Sequence, residues 1–353
     1  MLQNSRNSRR FWNLSIKIVV VIAFGWFVIH HLTGYDDLPL IRASFVERWA
    51  EGPVWMLCLA ICLMPLNWLC ETLKWSVLML PVRLSWKRAV GGILSGITLS
   101  LFMPNRTGEY GGRVLYLRPP DRWWGVLASL TGSFAQNMVY VSIGLLFGAF
   151  FLTGSAQMPE LTARGLWVLT GLCVLALGLL YFNLPAVVAL FARRTPPRIL
   201  LKPWSSLSRL VDTPRTRLTQ ALGFSFLRYG IFTFQYVLLL TYFGVDVPWI
   251  WLTGGVAVIY LVQTSVPLPP FLDLVARNEI GIALWAGFGA NELSVVAAGL
   301  SIWMINLAFP AFFGLLAIGA VNIFRTPAYD QTVLAADIPG PDCGTLDGRS
   351  AQS

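Results

Sequence analysis

Residues 89–113 read AVGGILSGITLSLFMPNRTGEYGGR, and the length of the apolar part decides the architecture. The run from Ala89 to Met103 has 15 residues. At 1.5 Å per residue a helix of that length reaches roughly 22 Å, short of a hydrocarbon core of roughly 30 Å. The run ends at Pro104, and Arg106, Glu109, Arg113, Arg118 and Arg122 follow it. A full crossing would put these four arginines on the side opposite Arg83, Lys87 and Arg88, which precede the run. A re-entrant hairpin that turns inside the membrane and returns to its starting side removes the conflict. Irregular backbone at membrane depth is tolerated where protein or water surrounds it.

The rest of the chain makes a membrane the right solvent to assume. Of 353 residues, 56% are hydrophobic and 12% charged, and the mean hydropathy is +0.64. A soluble domain carries about twice that charged share. A soluble enzyme, a disordered chain and a disulfide scaffold are excluded on these grounds. Four of the five cysteines (Cys58, Cys62, Cys70 and Cys173) lie in apolar runs; Cys343 does not, and none forms a CxxC pair. His30 and His31 are neighbours, which point apart on a helix, so they do not read as a metal site. The net charge of +9 reads as topology rather than as nucleic-acid binding, because the basic residues collect in loops on one side of the apolar runs.

Six full spans are expected. The first, from Leu14 to about Leu32, follows the basic segment 1–13 and has no small-residue cleavage site after it. The others run over about 54–80, 123–152, 165–191, 218–243 and 293–324. Leu38, Ile41, Phe45 and Trp49 recur at helical spacing between the first two, which predicts a short amphipathic helix on the outer face. A second broken pair, 250–266 and 273–289, is interrupted by Pro267-Leu268-Pro269-Pro270 and reads as a hairpin entering from outside. The loops assigned to the cytoplasm hold 18 Lys and Arg, those assigned to the outside hold 3, and this asymmetry fixes the expected orientation. The basic loop 192–217 and both termini are then cytoplasmic, and the tail 325–353 is expected to be disordered. Span, hairpin and span occur twice with opposite entry, the inverted pseudo-repeat common among transporters. The expected fold is an all-α polytopic membrane domain over 14–324.

Three clusters carry the candidate chemistry. Arg106, Glu109 and Arg113 share one face if their segment is helical. Arginines bind phosphate or carboxylate through paired hydrogen bonds, and a carboxylate between them can position or release them. Asn67, Glu71 and Lys74 share a face of the second span, where a carboxylate is costly. Asp273, Arg277 and Glu279 sit at the break of the second hairpin. Arg228 lies inside the fifth span, with a lipid phosphate or Glu71 as its expected contact. Gln136, Asn137, Gln235, Gln263 and Asn306 are expected to join helices by hydrogen bonds. No dinucleotide, Walker, GxSxG or HExxH motif occurs in context, so neither a cofactor nor an enzymatic activity is expected.

Asn67-Trp68, Glu71, Lys74-Trp75, the Pro104–Arg113 segment, and the Pro-rich break before Glu279 with Trp303, Asn306 and Pro310 beyond it resemble the transmembrane region of the lysylphosphatidylglycerol synthase family, also described as flippase-like. The resemblance spans roughly residues 10–325 and implies a bacterial inner-membrane protein of lipid translocation or envelope lipid metabolism. In the synthases a large soluble aminoacyltransferase domain follows, whereas 28 residues follow Arg325 here. The aminoacyl-transfer activity is therefore not carried over. The second break also departs from the family's glycine-rich pattern and reads Pro-Pro-Phe-Leu-Asp-Leu-Val. The expected function is lipid transport, with Arg106 and Arg113 binding an anionic head group from the inner leaflet. Asp273, Arg277 and Glu279 would serve an outer half-site, and the lipid would be a membrane phospholipid or an isoprenoid-linked lipid. The alternatives are a membrane-embedded enzyme and a scaffold for a separately encoded synthase.

Overall fold

The computed structural model describes residues 38–103, 107–155, 158–192, 201–266, 268 and 270–320, together with Ile22. All secondary structure among them is helical. In chain order the helices are α1 (Leu38–Glu51), α2 (Val54–Met79), α3 (Trp86–Ser100), α4 (Gly108–Val114), α5 (Arg122–Ser155), α6 (Glu160–Phe182), α7 (Leu184–Ala192), α8 (Leu201–Val211), α9 (Arg215–Tyr242), α10 (Trp249–Ser265), α11 (Pro270–Trp285), α12 (Glu292–Trp303) and α13 (Phe309–Ala320). A π-helical turn, Met304–Ala308, joins α12 to α13.

Five stretches are long and apolar enough to cross a membrane: Val54–Met79, Pro119–Gly154, Glu160–Phe182, Arg215–Tyr242 and Glu292–Gly319. They are the second to sixth expected spans; the first expected span, the N-terminal basic segment and the tail lie outside the described residues. The fourth ends earlier than its apolar composition predicts. The helix stops at Asn183, whose side chain donates to the Leu179 carbonyl, and Pro185 sits in the first turn of α7. Proline fits an N-terminal turn, where its missing N–H has no partner to lose.

Both broken segments fold as paired helices. In the first, α3 and α4 touch backbone to backbone. A Cβ on Gly112 would collide with the Gly96 backbone, and one on Gly108 with the Leu99 carbonyl. Glycine at these positions is what lets the seven-residue α4 lie against α3. In the second, Gly255 on α10 seats the indole of Trp285 from the end of α11.

The packing pairs recur in the two parts of the chain. α3 lies along α13, where Thr98 donates to the Ala311 carbonyl at 2.8 Å and Gly314 meets the Leu94 carbonyl. α10 lies along α5 in the same manner, with Gly144 against Leu261 and Gly254 under Phe147 and Phe151. α2 and α9 form the most extensive helix pair and stand at the centre. α1 docks on α12: Ile41 is buried, and the Phe45 ring meets Phe243 edge to face at 4.8 Å, while Trp49 stays exposed. α6 is covered mainly by α5 on one side, and Leu161, Val168, Leu172, Leu175 and Leu179 are exposed, as suits a helix whose solvent is lipid.

Three of the expected basic loops meet at one end of the bundle. Arg209 pairs with Asp121 at 3.3 Å, and Arg217 donates to the Leu80 carbonyl at 2.8 Å. Tyr116 donates to the Ala317 carbonyl at 2.9 Å, which brings the end of the last helix to the same place.

Candidate functional site

A carboxylate inside an apolar helix has to find cations or lose its charge. Glu71, on α2, finds three. Its Oε2 accepts from Lys74 Nζ at 2.7 Å and from Arg228 Nη1 at 2.8 Å, and its Oε1 accepts from Arg113 Nη2 at 2.8 Å. Lys74 lies one turn away on the same helix. Arg228 comes from α9 and Arg113 from α4, so one carboxylate ties the first hairpin to the central helix pair. All four side chains are buried.

Further partners extend the site both ways. Arg113 Nη2 also donates to Glu109 Oε2 at 2.9 Å, one turn earlier on α4. Lys74 donates to Gln136 Oε1 at 3.2 Å, and Gln136 passes a bond to the Ser225 carbonyl. Arg228 Nε donates to Asn67 Oδ1 at 2.9 Å, and Asn67 donates to Asn306 Oδ1 at 2.9 Å. Asn306 donates to Gln235 Oε1 at 3.2 Å, and Gln235 ends the chain on the Ala60 carbonyl at 2.7 Å. Asn306 lies in the π-helical turn, where an i→i+5 pattern often marks a functional position. The guanidinium of Arg228 also lies over Trp68 at 5.0 Å and Phe232 at 5.7 Å, and that of Arg113 is 5.8 Å from the Trp75 ring centre.

The second hairpin carries a looser pair. Arg277 Nη2 stands 3.6 Å from Asp273 Oδ2 one turn away on α11. Gln263 of α10 donates to Asp273 Oδ1 at 2.7 Å and to its backbone carbonyl at 3.0 Å. Arg277 is buried, and its Nε has no hydrogen-bond partner among the described residues.

Three cavities adjoin these groups. One of about 130 Å³ is bounded by Glu71, Lys74, Glu109 and Arg228 on one wall and Ser133, Asn137 and Tyr140 of α5 on the other. A second, also about 130 Å³, lies between the two hairpin tips, with Ser100 from α3 and Leu268, Asp273 and Arg277 from the second hairpin. A third, about 20 Å³, has Glu109, Asp273, Arg277 and Asn306 on its walls.

The sequence places Asp273 and Arg277 in an outer half-site apart from Glu109. The fold instead brings all three to the walls of one small cavity, where the two hairpins meet. Asn67, Glu71, Lys74, Arg113 and Arg228 form one network, as drawn above. Glu279 is exposed and lines none of the three cavities. Arg106 lies outside the described residues. Of the intramembrane amides, Gln136, Gln235 and Asn306 join helices as expected, and Gln263 joins α10 to α11 within the hairpin. Asn137 is exposed and lines both larger cavities. Tyr140 was not singled out by sequence, although Ser133, Asn137 and Tyr140 form a polar stripe at helical spacing in an otherwise apolar helix.

A helical multi-pass membrane protein with paired broken helices and a buried charge network is the class these features define. Residues 14–325 match the lysylphosphatidylglycerol synthase TM region, and the chain belongs to that family. No curated protein and no solved structure matches it. Membership makes it a membrane protein related to lipid biosynthesis or lipid flipping.

Proposed function

We propose that the protein is a lipid transporter of the inner membrane that moves an anionic lipid between leaflets without catalysing a reaction. The hairpins α3–α4 and α10–α11 are then re-entrant from opposite sides, and the two span–hairpin–span units form an inverted repeat. The end that gathers Asp121, Arg209, Arg217 and Leu80 faces the cytoplasm, as the basic loops favour.

One observation carries this reading: Glu109, which touches the network through Arg113, shares a small cavity with Asp273 and Arg277 where the two hairpins meet, and larger cavities adjoin these groups. Glu71 is eight residues from the end of α2, about 12 Å of helix, so the network lies well inside a roughly 30 Å core. Charges at that depth are retained where they line a pathway. Broken helices that meet near the midplane are how many transporters build such a site. Glu109 suits the role of gate: it is half-buried, holds Arg113, and lines the cavity on the side of the second hairpin.

The test is lipid translocation by the purified protein in vesicles carrying a trace of fluorescent phosphatidylglycerol, read by the fraction a membrane-impermeant reductant bleaches. Glu109→Gln and Arg106→Ala are each expected to lower the rate at least tenfold while thermal unfolding stays close to wild type. Wild-type rates in both variants, or co-purification with a separate synthase and no lipid movement, would overturn the reading.

A further inference from the structure

Arg113 and Arg277 hold their carboxylates in ways that leave one acid able to move. Arg113 Nη2 donates to Glu71 Oε1 at 2.8 Å and to Glu109 Oε2 at 2.9 Å, so a single nitrogen serves both acids. If Glu109 leaves, Glu71 still pairs the guanidinium. Glu109 is the more loosely held of the two. Its side chain is 17% exposed against 5% for Glu71, and among the described residues it pairs with one cation where Glu71 pairs with three. Arg277 meets Asp273 through Nη2 at 3.6 Å, beyond hydrogen-bond reach, and its buried Nε has no hydrogen-bond partner among the described residues. A buried donor left in this way is costly, more so on a charged group.

Glu109 and Arg277 line the same small cavity of about 20 Å³, which has room for a single water. Glu109 is brought there by α4 of the first hairpin, and Arg277 with Asp273 by α11 of the second. Glu109 also borders the cavity beside Lys74 and Arg228, while Asp273 and Arg277 border the one between the hairpin tips. The small cavity therefore adjoins both larger ones. A Glu109 carboxylate that turned from Arg113 to Arg277 would span this space and give the Arg277 Nε an acceptor. The number of pairs survives the turn. In the structure Arg113 holds Glu71 and Glu109, and Arg277 holds Asp273. After the turn Arg113 holds Glu71, and Arg277 holds Asp273 and Glu109. No buried charge stands alone in either arrangement, so neither carries the penalty of an uncompensated ion. Two discrete arrangements that differ in which elements are tied together are what a bistable switch requires.

We propose that Glu109 exchanges partners between Arg113 on the first hairpin and Arg277 on the second, and that the Glu109–Arg277 pair is the closed state in which the two hairpins are tied together. Its role as a gate rests on the transport reading; the exchange itself does not. Arg277 is then a positioning residue that acts through Glu109. The bias comes from the ligand. An anion that occupies Arg277 displaces Glu109, returns it to Arg113 and keeps the hairpins untied while it passes. A ligand shifts an equilibrium only by binding one state better than the other, and competition for one guanidinium supplies that difference.

Two double-variant cycles test this, each on Glu109→Gln, Arg277→Gln and the two combined. The first is read by thermal unfolding in detergent and needs no transport. The combined variant is expected to lose clearly less unfolding temperature than the sum of the single losses, because either change alone already removes the pair. Losses that add, or exceed their sum, would overturn the exchange whether or not lipid moves. The second cycle is read by translocation of fluorescent phosphatidylglycerol in vesicles. Each single variant is expected to be at least tenfold slower than wild type, and the combined variant no slower than the slower single one. Losses that multiply, to a hundredfold or more, would overturn the gate. Arg277→Lys keeps a cation beside Asp273 but lacks the second edge of a planar guanidinium, and it takes the place of Arg277→Gln in both cycles if that variant does not fold. It is expected to stay at least threefold slow. A wild-type rate in Arg277→Lys would reduce Arg277 to a structural partner of Asp273 and overturn the gate. Non-additive unfolding with no lipid moved by the wild-type protein would defeat the transport reading instead and leave the exchange standing.

Discussion

The two hairpins use charge in opposite ways. The first is wired into the bundle: Arg113 reaches from α4 to Glu71 on α2, which also holds Lys74 and Arg228. The second keeps its charges to itself. Asp273 meets Arg277 one turn away at 3.6 Å, and its hydrogen-bonding partner Gln263 belongs to the same hairpin. A carboxylate shared among three cations on three helices cannot exchange partners without loosening the fold. A long, local ion pair beside a cavity can. The Glu71-centred network therefore reads as the fixed wall of the site, with the half-buried Glu109 at its edge left to act as gate, and the second hairpin reads as the wall that can respond to a ligand.

The largest effect expected is that of Glu71→Gln. It leaves Lys74, Arg113 and Arg228 facing each other without their shared anion, and breaking a buried pair of this kind costs about 3–5 kcal/mol. Thermal unfolding in detergent should fall sharply; an unfolding temperature equal to wild type would break the comparison. Gly112→Ala tests the same wall by sterics. The added methyl meets the Gly96 backbone, so α4 has to move off α3, at about 1–3 kcal/mol. Asn306→Leu removes the amide between Asn67 and Gln235, and the loss of paired amides in a membrane core is about 1 kcal/mol. Asp273→Asn should change stability least of the four, because the ion pair it loses is local to α11 and an asparagine Oδ1 can still accept the bond from Gln263. Its lipid translocation should nonetheless fall, by tenfold or more in the vesicle assay. An Asp273 variant that unfolds early but transports normally would reverse the assignment of fixed and responsive walls.

The legibility of the site follows the same division. Glu71 and Lys74 are neighbours on one helical face, and so are Glu109 and Arg113, so each pair is visible at a spacing of three or four residues. The alternative partners weighed for Arg228 included Glu71, and Glu71 is what it holds. Asn137 was read as helix glue because an amide in an apolar segment nearly always is. Only the position of α5 against the cavities puts that amide in the open. Glu279 follows Arg277 by two residues, a spacing that turns it to another face of the helix.

By itself the sequence determined the membrane class, the apolar run that is too short to span, five of the helices long and apolar enough to cross a membrane, and the clustering of the basic loops. These follow from hydropathy, helix rise and charge, which accumulate along the chain and need no knowledge of neighbours. The tertiary structure decided that both hairpin tips share one cavity and that Asn67 bonds Asn306, 239 residues away. It also decided that a single glutamate holds three cations. An apolar helix presents nearly equivalent faces to any neighbour, so which polar side chains meet depends on the glycine contacts and close packing that select one arrangement of the helices.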